Sequence, residues 1–397
     1  MKNPLRILFV VAVIDILGFG ILIPLVPYMA ERFGATPRTI TWILGSYSLC
    51  QLLAAPFWGR LSDRYGRRPI LISSFIGACL SYLILCFARN LEGLLISRML
   101  AGFMAGNLAA AFAYASDVST PEHRAKSLGM IGAAIGIGFM LGPAIGGALA
   151  GDDAQTANFT LPAIVSACLS LLAVALVVVA LPESHPAQER TRADSKRGAT
   201  PLQLLAQRPP LRFIAAAALL VTTAQGILES IFAVWALQVL GFGPRAVGLM
   251  LFGLALVAVS MQGGFVRMLV PKLGEMRLAT LGVAAYIMGL FIAAQANANL
   301  TATIIGLALC GVGAGAFNPS ASALASKQSR VSDRGAVMGT YQASTSLARV
   351  IGPFISGPLF AMFGPSAPFL AGACIMIPAL WLIRHSQRVG VPAEQEA

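Results

Sequence analysis

The chain has 397 residues, 57% of them hydrophobic and only 11% charged, with a formal net charge of +12. A water-soluble domain carries about 25% charged residues, which excludes the soluble globular class. No basic-aromatic module accompanies the positive charge, so no nucleic-acid partner is expected, and the long apolar runs between the charge clusters point to a lipid bilayer instead.

A stretch of about 20 apolar residues crosses a hydrocarbon core of about 30 Å. Twelve are predicted, at roughly 6–29, 40–59, 70–88, 93–116, 127–149, 160–181, 212–237, 246–266, 277–296, 300–325, 335–361 and 366–384. The first follows Lys2 and Arg6, as a signal peptide would. Asp15 interrupts it, however, Pro24 and Pro27 follow, and no small-x-small cleavage site appears, so a retained helix is expected. After the second span, Gly59–Pro69 packs four arginines and Asp63 into eleven residues and reads as a solvated loop. Pro182–Leu211 is the one long polar segment; with Arg190, Arg192, Lys196 and Arg197 it reads as a flexible linker. The expected fold is an all-α membrane protein of two pseudo-symmetric six-helix bundles. They cover 1–181 and 212–385, joined by a cytoplasmic linker, 182–211, and followed by a cytoplasmic tail, 386–397.

Charge sets the expected orientation. With the N-terminus in the cytoplasm, 22 of the 28 Lys and Arg fall on that side and 4 outside; Arg98 and Arg349 lie within spans. Positive residues favour the cytoplasmic side, which places both termini there. The halves also repeat. Gly142-Pro143 recurs as Gly352-Pro353, His123-Arg124 as Asp333-Arg334, and the Gly59 loop as a decayed copy at Val270–Glu275, all at offsets near 210 residues. Parallel repeats of this kind are a transporter architecture.

Asp15, Arg98, Glu229 and Arg349 each sit within a span, at a cost of about 2.5–3.5 kcal/mol apiece at a helix centre. Either they form fixed ion pairs or they line a polar cavity. Helical spacing favours a cavity: Thr222, Gln225 and Glu229 share one face of the seventh span, and Gln342, Thr345, Ser346 and Arg349 one face of the eleventh. Asn318 on the tenth span joins the candidate lining. Asn107 lies about 180° around the fourth span from Arg98, so one of the two is expected to face the cavity. The histidines, His123, His185 and His385, are expected in loops. A proton carrier would then be a carboxylate, Asp15 or Glu229. The six cysteines read as buried thiols, and no metal-ligand spacing or catalytic arrangement appears, so neither a metal site nor an enzyme is expected.

Several motifs together resemble the major facilitator superfamily over essentially the whole chain, in its twelve-helix drug/proton antiporter branch. Gly59, Asp63, Arg64, Gly66, Arg67 and Arg68 match the signature between its second and third helices. Gly138, Gly142, Pro143, Gly146 and Gly147 resemble the antiporter motif on the fifth. Asp15-Ile16-Leu17-Gly18 with Pro24 and Pro27 resembles the first-helix motif of drug/proton antiporters, and Arg98–Gly102 the fourth-helix motif. Leu181-Pro182-Glu183-Ser184 resembles the end of the sixth helix in tetracycline/proton antiporters.

The resemblance implies that Arg67 pairs with Asp117, that Asp63 faces the start of the eleventh helix, and that these residues form a conformational switch. It implies proton coupling through Asp15, Arg98 and Glu229, and a substrate cavity that includes Asn107, Gln225, Glu229, Asn318, Gln342, Ser346 and Arg349. It also implies a monomer in the bacterial plasma membrane that exports small amphipathic molecules, driven by the proton gradient without a cofactor. The helix 5 glycines read first as close packing, with Gly132, Gly136, Pro143 and Gly147 on one face. The chain departs from tetracycline antiporters where they carry acids on the third and ninth helices; Ser81 and Tyr286 stand there. Exporters of one metabolite, such as a sugar or metal chelator, and a non-transporting sensor are the alternatives.

Overall fold

The computed structural model describes residues 4–120, 123–184, 201–329 and 333–389. Among these there is no strand. The helices in chain order are α1 (Pro4–Leu22), α2 (Leu25–Arg32), α3 (Pro37–Tyr65), α4 (Arg67–Phe87), α5 (Leu91–Met104), α6 (Leu108–Asp117), α7 (Arg124–Ala150), α8 (Thr160–Ala180), α9 (Pro201–Gln207), α10 (Pro209–Leu240), α11 (Pro244–Ser260), α12 (Val266–Ala294), α13 (Leu300–Lys327), α14 (Arg334–Phe363) and α15 (Ala367–Val389). Eleven of the resulting continuous helical stretches are long and apolar enough to span a bilayer. The 51-residue stretch Pro244–Ala294 is two spans in one, joined through a π-helical turn at Met261–Phe265 and broken at Gly274, whose φ is 74° and ψ 157°. Twelve spans result. Phe87, Val179, Met362 and Phe363 are 70–86% exposed, which is stable on a lipid-facing surface and not on a water-facing one.

The sequence expectations need amendment in five places. The first span breaks at Ile23-Pro24, because proline supplies no amide hydrogen and its ring crowds the preceding turn. The Gly59–Pro69 segment is not a loop: α3 continues to Tyr65, α4 starts at Arg67, and Gly66 alone joins them. Its φ of 104° and ψ of 163° suit glycine and few other residues. The expected flexible linker contains α9, and the next residue, Arg208, forms an ion pair with Asp333 and donates to Gln328 O at 2.7 Å. The linker residues Arg190, Arg192, Lys196 and Arg197, with His185 and the end of the tail, lie outside the described residues. His385 continues α15 and stacks on Trp381 at 4.7 Å. Cys168 and Cys374 are exposed, whereas Cys79 and Cys310 are buried.

Two compact units emerge, Met1–Lys196 with Ala236–Phe252, and Arg197–Trp235 with Gly253–Ala397. In the first, Leu8, Trp58, Leu71, Phe75, Tyr114, Ile131 and Val177 form a contiguous core. Residues 236–252 belong to it through Tyr28, whose hydroxyl donates to Phe242 O at 2.7 Å, and through Arg245, paired with Asp152 at 3.2 Å. In the second unit α12 and α13 meet backbone to backbone. A Cβ on Gly282 or Gly289 would lie 2.9 Å from Gly313 O or 2.6 Å from Gly306 O. Small residues permit that approach where burial from water supplies no driving force.

Candidate functional site

The Gly66 joint organises one end of the first unit. Arg67 opens α4 and is 8% exposed. Its Nη1 donates to Asp63 Oδ1 at 2.5 Å and to Ser62 Oγ at 3.1 Å, and its Nε to Asp117 Oδ2 at 3.2 Å. A cation at a helix N-terminus opposes the helix dipole and leaves the first amides without acceptors. Glu183, from beyond α8, answers both problems. Its Oε1 accepts from the Arg67 amide at 2.9 Å and its Oε2 from the Arg68 amide at 3.2 Å. Ser184 Oγ donates to Asp117 Oδ2 at 3.2 Å, and the Tyr114 hydroxyl donates to Pro182 O at 2.8 Å. Arg68 reaches Val178 O at 2.5 Å, while Arg64 is exposed and lies over Tyr65. Gly59 has open space where a Cβ would sit. The Leu181–Ser184 motif marks Glu183 in the sequence, but its capping of α4 depends on a contact 116 residues away that no local pattern encodes.

The antiporter-motif glycines divide between two neighbours. Gly138, Gly142 and Gly146, four residues apart, face α1 at Ile16, Gly20 and Ile21, with a Cβ on Gly142 only 2.6 Å from Gly20 Cα. Gly147 and the Pro143 carbonyl instead abut Pro244, Arg245 and Gly248. The face predicted from Gly132, Pro143 and Gly147 is therefore not the tightest one, and Gly132 meets nothing within 4 Å. α7 passes Pro143 without interruption.

The fourth span is not one helix. Between α5 and α6 the chain makes a 3-10 turn, Ala105–Asn107. Three side chains from neighbouring helices explain it. Trp58 Nε1 donates to Phe103 O at 2.6 Å, Ser74 Oγ to Met104 O at 2.7 Å, and Gln51 Nε2 to Ala105 O at 3.3 Å. These donors compete for the carbonyls that α-helical amides four residues on would use, and the helix tightens locally. The 100° count from Arg98 to Asn107 does not survive that turn. Both residues are 3% exposed and lie inside the first unit. Arg98 Nη2 reaches Ser97 Oγ at 3.4 Å, and its buried Nε has no partner.

Asp15 and Asn107 come together. Both line each of two small cavities in the first unit, and each cavity, at about 20 Å³, has room for a single water molecule. Among the described residues none of Asp15, Arg98, Glu229 and Arg349 forms an ion pair, so fixed pairs do not account for their presence in spans. In the second unit Glu229, Asn318, Gln342 and Arg349 are exposed, and Ser346 is half-buried. Arg349 is the charge that acts on Glu229. Gln225 is half-buried with its Nε2 enclosed and unpartnered, and Thr345 turns inward onto Gln342 O at 3.0 Å. Exposed charge and amide on membrane spans require water rather than lipid beside them. Among the described residues no cluster of His, Cys, Asp and Glu could hold a metal.

A bundle of apolar helices with unpaired charges facing water-sized or water-exposed space defines a multi-pass membrane transporter. The chain belongs to the Major Facilitator Superfamily, whose family profile matches residues 8–298 and 272–397. It is 28% identical over 390 residues to Multidrug resistance protein 2 of Bacillus subtilis (strain 168), covering 96% of this chain and 95% of that one. It is 27% identical over 368 residues to the class B tetracycline resistance protein of Escherichia coli, covering 91% and 89%. Its fold matches a crystallised bacterial homolog of the human lysosomal transporter Spinster with a TM-score of 0.81 at 16% identity, over 98% of both chains. Family and fold are those of transporters and not of enzymes.

Proposed function

We propose that this transporter exports small amphipathic compounds in exchange for inward-moving protons, by alternating access. The single observation that carries the reading is Asp15: a carboxylate inside a membrane bundle, with no ion-pair partner among the described residues, beside space for water. Asp15 takes up and releases the proton. Glu229, exposed on α10 next to Gln225, meets the cationic part of the substrate. The resistance proteins at 27–28% identity support the drug-export class. The positive-inside distribution supports cytoplasmic termini in a bacterial plasma membrane. No cofactor is needed, since one charge crossing a potential of 100 mV yields roughly 2.3 kcal/mol.

A second reading is export of a single metabolite bearing an anionic group. Arg349, exposed on α14 without an ion-pair partner among the described residues, favours it. One screen separates the readings. Everted vesicles are energised, and a pH-sensitive dye reports proton release on addition of cationic, neutral and anionic compounds. Proton release by several cationic amphipaths supports drug/proton exchange. Response to one anionic class supports the metabolite exporter, and accumulation without any proton movement sinks antiport.

A further inference from the structure

Resting on Asp15 as the proton carrier, we propose that Asn107 is its positioning residue: the two side chains share a two-water site, one water in each cavity, through which the proton reaches and leaves the carboxylate. Asn107 is 3% exposed and caps none of the amides of α6, so its carboxamide is not used in closing that helix. A carboxamide offers two donors and an acceptor, and burying them unpaired is unfavourable. Asn107 lines both cavities. Asp15 lines the same two and forms no ion pair among the described residues. A buried water makes two to four hydrogen bonds, and a carboxylate facing a carboxamide supplies the first two in either cavity.

The cavities differ in a way that gives the site a direction. One is bounded by Tyr47, Ser74 and Tyr82 in addition to Asp15 and Asn107. The other, toward the N-terminal end of α1, is bounded by apolar side chains such as Leu8, Leu71, Phe75 and Ile131. Water in the tyrosine cavity meets hydroxyl-bearing side chains as well as the Asp15–Asn107 pair. Water in the apolar cavity has only the Asp15–Asn107 pair. A proton therefore arrives through the tyrosine cavity: its water passes one proton to an Asp15 oxygen and takes another from the solvent side, so the proton count balances. Exit through the apolar cavity needs Asn107 to hold the second water. The titratable groups that line the tyrosine cavity with Asp15 are Tyr47 and Tyr82. The 3-10 turn fixes Asn107 in place, held by Trp58, Ser74 and Gln51.

The test is a pH-difference infrared spectrum of the purified full-length protein in lipid, read in the carboxylic-acid C=O region in H₂O and D₂O. Asp15→Asn identifies the Asp15 band by deleting it. Asn107→Leu, similar in volume without hydrogen-bonding atoms, is expected to move that band toward the higher frequency of an acid with one hydrogen bond fewer and to slow its appearance after a pH jump. Asn107→Ser, which keeps a polar group and leaves room for water, is expected to restore both. Asn107→Ala gives the same reading as leucine if leucine prevents folding, and melting temperature separates a merely structural role. An Asp15 band unchanged in position and rate in Asn107→Leu or Asn107→Ala overturns the shared site alone. No band deleted by Asp15→Asn overturns the proton-carrier reading and the site with it.

Discussion

Lys327 Nζ donates a 2.7 Å hydrogen bond to Glu275 Oε1, next to the joint at Gly274. One repeat earlier, 208 and 210 residues back, Arg67 and Asp117 hold the same two places beside Gly66. Gly66 and Gly274 share an extended, positive-φ backbone, at φ 104° and 74° with ψ 163° and 157°. The latch is thus retained in the second repeat with its charges exchanged, although the surrounding signature has decayed. The exchange has a consequence at the helix start. Arg67 opposes the dipole and is met there by Glu183, whereas Glu275, an acid in the corresponding place, favours it.

The two latches differ in burial, and their stabilities should differ accordingly. The Arg67 side chain is 10% exposed, whereas that of Lys327 is 60% exposed. Asp117→Asn is expected to cost about 1.5–3 kcal/mol, the range for a hydrogen bond to a charged group. Lys327→Met is expected to cost about 0.2–1 kcal/mol, as at exposed pairs. Thermal denaturation in detergent measures both, and equal losses would show that burial does not set the difference.

Asp63 combines a contact to buried Arg67 with a side chain that is 58% exposed. Asp63→Asn is expected to change stability by no more than about 0.5 kcal/mol while sharply reducing transport, because the carboxylate acts in one conformational state rather than in folding. Melting temperature and initial transport rate, taken on the same preparation, check this. Near-normal transport would reduce Asp63 to a solvated charge marking one side of the membrane.

Tetracycline should be a poor substrate. Ser81 is fully buried, with its hydroxyl donating to Ala78 O at 2.7 Å, and Tyr286 is 3% exposed, packed against Gly313 of α13. Neither offers a carboxylate to water where tetracycline antiporters carry one. Cells expressing the protein are expected to show little rise in the inhibitory concentration of tetracycline, and a large rise would make those acids dispensable.

Glu229 and Arg349 should sort substrates by charge. Both are exposed, and neither is in an ion pair among the described residues. Glu229→Gln is expected to weaken cationic compounds about tenfold, which corresponds to about 1.4 kcal/mol, and to leave anionic ones unchanged or improved. Arg349→Gln should do the reverse. Binding by fluorescence titration across a charge series checks both. A uniform loss for every compound, with a lowered melting temperature, would instead assign the pair to packing.

The spans, the repeat and the unpaired charges were legible in the sequence because each depends on local composition. About 20 apolar residues cross lipid whatever their neighbours, and a duplication leaves matching glycines and prolines at a constant offset. Asp15, Glu229 and Arg349 declared themselves as ionisable residues where lipid tolerates few. What only the tertiary structure decided are contacts between residues far apart in the chain. Glu183 caps a helix 116 residues before it. The 3-10 turn that sets Asn107 beside Asp15 exists because Gln51, Trp58 and Ser74, 30 to 54 residues away, take the carbonyls of the fourth span. Which glycine face of α7 is tight depends on where Gly20 arrives. Helical periodicity assumes an unbroken helix and cannot register donors supplied by another one; packing supplies them, and so it determines which carboxamide meets which carboxylate.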